Sequence, residues 1–202
     1  MSRETSKVQG FSSSNEHVDA KIVAEKEFGD NLPPGYYFLP SASLLILRYL
    51  VQRILGYPMA SDIVKIMDYV ELLDPDQLNL DEFRYCKDKE GYYITKKAER
   101  KTTDEETTIK TTTGHWKESK SNFDIFDKGQ RVGFKNTFIF FQADGEETSW
   151  RLNEYTAIPD IFPVDALTDT VRAKIEEYVA CRIRFKQVKL PEQIIYEDDV
   201  EE

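Results

Sequence analysis

The chain has 202 residues, 40% of them hydrophobic and 12% aromatic, a length and composition that fit one main globular domain with short tails. Its formal net charge of -10 argues against a uniformly basic coat for nucleic acid but leaves room for a local basic face. The longest apolar run, Leu44 to Leu47, is too short for a membrane-crossing helix, and two widely spaced cysteines, Cys86 and Cys181, offer neither a disulfide framework nor a Cys-rich zinc site.

Residues 1–30 are polar, with a Ser12-Ser13-Ser14-Asn15 run, and read as a mostly disordered lead. Met1 to Gly10 has no apolar stretch before a small-residue cleavage site, so a reducing, intracellular compartment is expected. The main domain is expected over residues 31–190. Leu32-Pro33-Pro34-Gly35 is a turn-rich entry, after which Ser41 or Ser43 can cap a helix. Leu44, Leu47, Tyr49, Leu50, Val51, Ile54 and Leu55 then predict a largely buried helix of about four turns, stopped by Gly56 and Pro58. Ser61-Asp62 opens a shorter apolar segment, residues 63–70, and Asp74-Pro75 opens one more turn.

From there the pattern turns extended. Residues 83–86 and 92–95 are short aromatic runs around a turn at residues 87–91, which predicts a hairpin. Residues 137–141 and 149–155 bracket Asp144-Gly145, a strong hairpin turn. Val179, Cys181, Ile183 and Phe185 alternate with Ala180, Arg182, Arg184 and Lys186, the period of a half-buried strand. Helices first and strands joined by short turns later predict an α+β domain built on a twisted antiparallel sheet. Residues 191–202 form a self-repelling acidic tail with six carboxylates and no cation.

Catalytic chemistry is poorly represented. No nucleophile-elbow, phosphate-loop or paired-His motif occurs, and His17 and His115 are far apart in sequence, so no catalytic residue, metal ligand or cofactor is expected. The charge map says more. Residues 84–142 carry 13 basic and 9 acidic side chains, net +4, while the rest of the chain is net -14. A basic strip within an acidic protein lets a chain approach phosphates locally. Within it, Thr111-Thr112-Thr113-Gly114-His115-Trp116-Lys117-Glu118-Ser119-Lys120 joins hydroxyls, an aromatic anchor and spaced lysines, the groups that contact backbone phosphates and base edges.

These residues resemble the NAC domain of plant transcription factors. Leu32-Pro33-Pro34-Gly35-Tyr36-Tyr37-Phe38-Leu39-Pro40 is similar to its opening motif, and Leu55-Gly56-Tyr57-Pro58 to the end of its first helix. Thr113-Gly114-His115-Trp116-Lys117 resembles its DNA-reading strand, and Phe126-Asp127-Lys128-Gly129-Gln130-Arg131-Val132-Gly133-Phe134-Lys135-Asn136-Thr137 the segment after it. Trp150, Glu154-Tyr155 and Cys181-Arg182-Ile183 complete the order.

The resemblance implies a nuclear transcription regulator without catalysis, whose sheet edge enters the major groove of double-stranded DNA. It implies DNA contacts at Lys110, Trp116, Lys117, Lys120, Lys128, Arg131 and Lys135, with Trp116 supporting the strand. It also implies a homodimer, or a heterodimer with another NAC protein, formed near Leu32, Pro33, Pro34, Gly35, Tyr36, Tyr37 and Phe38, and no membrane partner. The chain departs from the family at several of these places. Glu118-Ser119-Lys120 replaces Ala-Thr-Gly after the Trp-Lys pair, Tyr37 replaces an arginine and Leu44 an acidic residue. A carboxylate at Glu118 is expected to repel phosphates and weaken DNA binding, and an interaction module that works by pairing with other regulators is the alternative expectation.

Overall fold

The structure is a computed structural model that describes residues 37–59, 63–67, 74–83, 85–87 and 89–186. The expected disordered lead, most of the opening motif and the acidic tail lie outside the described residues. An eight-stranded sheet organises the rest. Its strands are β1 (Lys65–Ile66), β2 (Glu90–Lys96), β3 (Lys101–Thr102), β4 (Thr107–Lys110), β5 (Gly114–Asp127), β6 (Gln130–Gln142), β7 (Glu147–Ala157) and β8 (Tyr178–Phe185). Their spatial order is β1-β2-β8-β7-β6-β5-β4-β3, antiparallel throughout except for the parallel β1–β2 pair. This is the expected α+β architecture.

The first helix, α1, spans residues 42–55, with α-helical ends (Ala42–Leu44 and Val51–Leu55) and a π-helical middle (Leu45–Leu50). Ser41 is its cap: the Leu44 N–H donates to the Ser41 hydroxyl at 3.1 Å, satisfying one of the donors that a helix start leaves open. Gly56 ends it in the left-handed conformation at φ 79°, where a side chain is disfavoured. Leu45, Ile46, Tyr49, Leu50 and Ile54 are buried. Gly133 on β6 lets the helix seat, because a Cβ there would meet Thr156 O at 2.0 Å and Ile46 Cδ1 at 2.7 Å. The second helix, α2 (Asp169–Glu177), is capped by the Thr168 hydroxyl, which accepts from the Val171 N–H.

Within the expected apolar segment of residues 63–70, Lys65–Ile66 is a strand added parallel to β2. One expectation about the first half is corrected. Residues 83–86 do not form a hairpin with residues 92–95: β2 pairs with β8 instead. Phe83 closes a turn, and its ring meets Tyr93 edge-on at 5.1 Å, so its aromatic surface is buried by stacking on the sheet rather than by joining it. The Asp144-Gly145 turn forms as expected, with the Gly145 N–H donating to Gln142 O at 2.9 Å and φ 88°. In β8 the alternation is incomplete, since Ala180 is buried as fully as Val179 and Cys181. Both faces are therefore covered at its centre.

Three cations of the basic strip, Lys96, Lys97 and Arg100, are engaged in holding this fold, and Arg182, outside the strip, does the same. Arg100 pairs with Glu154, which is 1% exposed, and lies over the Phe138 ring at 5.3 Å. Arg182 binds Glu90 through two nitrogens at 3.0 and 2.9 Å. Lys96 and Lys97 reach Glu177 and Glu176 at 2.5 and 4.0 Å, which ties this stretch to α2. Removing the cation from a buried carboxylate costs about 3–5 kcal/mol. Arg100→Ala should therefore lower unfolding free energy by about that much in urea titration, whereas exposed Lys101→Ala should change it by less than about 0.5 kcal/mol. Equal effects would contradict a structural role for Arg100.

Candidate nucleic-acid interface

The site grows from the β3–β4–β5 corner. In the β3–β4 turn the Thr103 N–H donates to Glu106 O at 2.9 Å. Between β4 and β5 the Thr111 N–H donates to Gly114 O at 3.0 Å, and the Gly114 N–H to the Thr111 hydroxyl at 2.8 Å. Gly114 is required by close approach, as a Cβ would sit 2.0 Å from Phe141 O. Asp74 clamps the corner from outside the sheet, accepting from the Thr113 N–H at 3.0 Å and the Thr113 hydroxyl at 2.7 Å. Burial pushes the Asp74 carboxyl up, but the hydrogen bonds from Thr113, with those from Thr111 and Thr112, outweigh it and hold the pKa below the ordinary value.

Trp116 is 0% exposed. It pairs with Ile109 on one side and Phe140 on the other, and its ring lies 5.1 Å from that of Phe140. Its ring is enclosed within the sheet and has no exposed surface for a nucleic acid. Because neighbouring strand residues point to opposite faces, Lys117 leaves from the other side, level with Thr108 and Ile139. Glu118 returns to the Trp116 face, opposite buried Phe138. Glu118 thus does not share the face from which Lys117 leaves.

The carboxylate that does stand there is Glu106. Its Oε2 lies 2.6 Å from Lys117 Nζ, and the Lys117 hydrogen bond and charge hold the Glu106 pKa below its ordinary value. Glu106 shares a cleft of about 440 Å3 with Lys101, Thr108, Lys110, Thr111 and His115, and His115 stacks on Phe141 at 5.5 Å. No sequence motif marks the Glu106–Lys117 pair. The only signal is the turn spacing that brings β4 back along β5.

Among the described residues, β4 pairs with β5 only from His115 to Lys117, so residues 118–127 have an outer edge with no described partner strand. This stretch shifts register against β6 near Lys120 and again near Phe126. Such bulges re-aim side chains and twist the edge. Lys120 is exposed, as are Phe123 at 62% and Phe126 at 56%.

The corner gathers Lys110 and Lys117, with Lys120 one bulge away. Lys135 sits further along with its ammonium 5.0 Å above the Phe123 ring. Arg131 is paired with Asp124 at 3.5 Å and lies over Phe134. Lys128 occupies the β5–β6 turn at φ 47°, about 30 Å along the strand from Lys117 by strand rise. Apart from Lys110 on β4 and buried Trp116, the expected contact residues thus lie along the β5–β6 hairpin rather than at one point. Of the opening motif, Tyr37 is 56% exposed. Phe38 instead packs edge-on against Tyr49 and Tyr92, while residues 32–36 lie outside the described residues.

The family model described as No apical meristem (NAM) protein matches residues 33–157. NAC domain-containing protein 19 of Arabidopsis thaliana is 25% identical over 167 residues, covering 81% of this chain and 50% of its own length. NAC domain-containing protein 46 of the same plant is 28% identical over 160 residues, 77% of this chain and 45% of its own. NAC domain-containing protein JA2 of Solanum lycopersicum is 23% identical over 168 residues, 82% and 46% respectively. The chain spans about half the length of these curated relatives.

The Asp74 clamp has a signed pH dependence. A carboxyl whose pKa is lowered by folding adds stability above its unfolded value, and that stability is lost as pH falls through the folded value. Asp74→Asn should be less stable than the parent at neutral pH, with the gap closing as pH falls below the ordinary 3.8. Urea unfolding at a series of pH values measures it, and a gap that stays constant through the acid range would contradict the clamp.

Proposed function

The chain belongs to the NAC domain family, and we propose that it is a transcription regulator of that family that meets duplex DNA through the outer edge of β5, in the nucleus. The observation that carries this reading is the bulged edge of residues 118–127, which has no described partner strand and begins where Trp116 aims Lys117 outward. An edge of this kind fits a major groove, which is wide enough for β structure. Lys110, Lys117 and Lys120 supply contacts at one end of the hairpin, and Lys128, Arg131 and Lys135 supply phosphate contacts further along.

Affinity is lowered by carboxylates already in place. Lys117 is paired with Glu106 and Arg131 with Asp124, so DNA must displace both before it gains either cation. Each phosphate left without a cation takes about one counterion out of the salt dependence of binding. Pairing with a second NAC domain, like or unlike, falls to the segment that begins at Leu32 and ends at Phe38. Tyr37 offers an exposed ring there where the family has an arginine.

A specific observation favours the second reading, an interaction module with little DNA affinity. The free edge itself carries Glu118, Asp124 and Asp127 against Lys120. Fluorescence anisotropy with a labelled duplex, titrated across salt, separates the two. For a DNA-binding regulator, Lys117→Ala weakens binding and reduces the logarithmic salt slope by about one unit, while Glu106→Gln tightens binding severalfold. Absence of duplex binding at every salt, together with co-elution with an intact NAC domain, would establish the interaction module instead.

A further inference from the structure

The corner cleft and the acidic end of the chain are complementary, and neither is explained by the sheet. We propose that the acidic segment of residues 192–202 docks in cis on the cleft lined by Lys101, Lys110 and His115, covering the edge around Lys117.

Charge is the first support. Lys101 and Lys110 are exposed lysines of the cleft, with Lys117 beside it through Glu106, and Glu106 is its sole carboxylate among the described lining residues. The segment brings Glu192, Glu197, Asp198, Asp199, Glu201 and Glu202 with no cation. The 2.6 Å pair between Lys117 and Glu106 already shows this corner accepting a carboxylate.

Reach is the second support. Arg184 stands in one cross-strand row with Arg151, Ile139, Lys117 and Thr108. Lys186, where the described chain stops, donates its N–H to Ser149 O at 2.9 Å. The chain therefore leaves β8 at the end of the sheet that bears the cleft. Four strand spacings separate β8 from β4, about 19 Å. Residues 187–192, fully extended, span about 20 Å. That length is enough for Glu192 to reach the cleft and for the denser run, Glu197 to Glu202, to cover it.

Such a segment imitates the spaced negative charge of a phosphate backbone and competes with it. The docking itself stands apart from DNA binding; its regulatory consequence rests on the proposed function. The test therefore needs no DNA. Val200→Cys in the full chain is coupled to a nitroxide, while burial pushes the native thiols beyond ready reaction, Cys86 up to about 12 and Cys181 well above its ordinary value.

In amide NMR spectra at low salt, signals of residues 110–117 should lose intensity beyond those of residues 160–166 on the far side. The loss should vanish at high salt, where a Debye length is only a few ångströms. It should also vanish when all six carboxylates are changed, as E192Q, E197Q, D198N, D199N, E201Q and E202Q. Uniform loss, or none, would overturn the docking. So would loss in a mixed sample where the nitroxide and the isotope are on different molecules, since that would place the segment on a second copy. If the docking holds but duplex binding is unaffected by the six changes, the proposed function fails rather than the docking.

Discussion

Everything at the candidate interface depends on the burial of Trp116. An indole held between Ile109 and Phe140 fixes β5 in register with β4 and β6, and truncating a fully buried aromatic costs about 3–5 kcal/mol. Because the side-chain period of a strand is two, a slip of one residue would send Lys117 into the core and Trp116 into water. The indole is thus a stability element whose main functional effect is on its neighbour. It decides that Lys117 faces outward while Glu118 returns to the opposite face.

Charge then divides into two populations with different work. Arg100 and Arg182 are committed to buried carboxylates and hold the sheet. Lys117 and Arg131 are paired at the surface, where ion pairs exchange readily with other anions. Of the first population only Arg100 belongs to the strip of net +4, and its burial against Glu154 removes one cation from that surface. The second explains how the same hairpin can retain the geometry of a nucleic-acid edge while offering fewer available cations.

Local signals in the sequence were legible where one short segment contains its own cause. Ser41 and Gly56 bound the first helix because a cap and a left-handed stop act within one turn, and Asp144-Gly145 makes its hairpin for the same reason. Residues 83–86 misled because a short aromatic run has the same composition whether it pairs as a strand or stacks on one. Only the distant β8 decides where β2 goes. The pairing of Glu106 with Lys117 is hidden in the sequence for a related reason: it depends on the β4–β5 register, and nothing near Glu106 in sequence names its partner. Asp74 and Thr113 are further apart still, joined only when the segment around Pro75 folds over the sheet.

Amide hydrogen exchange of the full chain with and without a duplex bears most directly on the β5 edge as the contacting surface. Protection should rise in residues 118–124, whose outer edge no described strand pairs, and stay unchanged in residues 178–184 at the sheet centre. Added protection elsewhere, with residues 118–124 exchanging as before, would contradict the account.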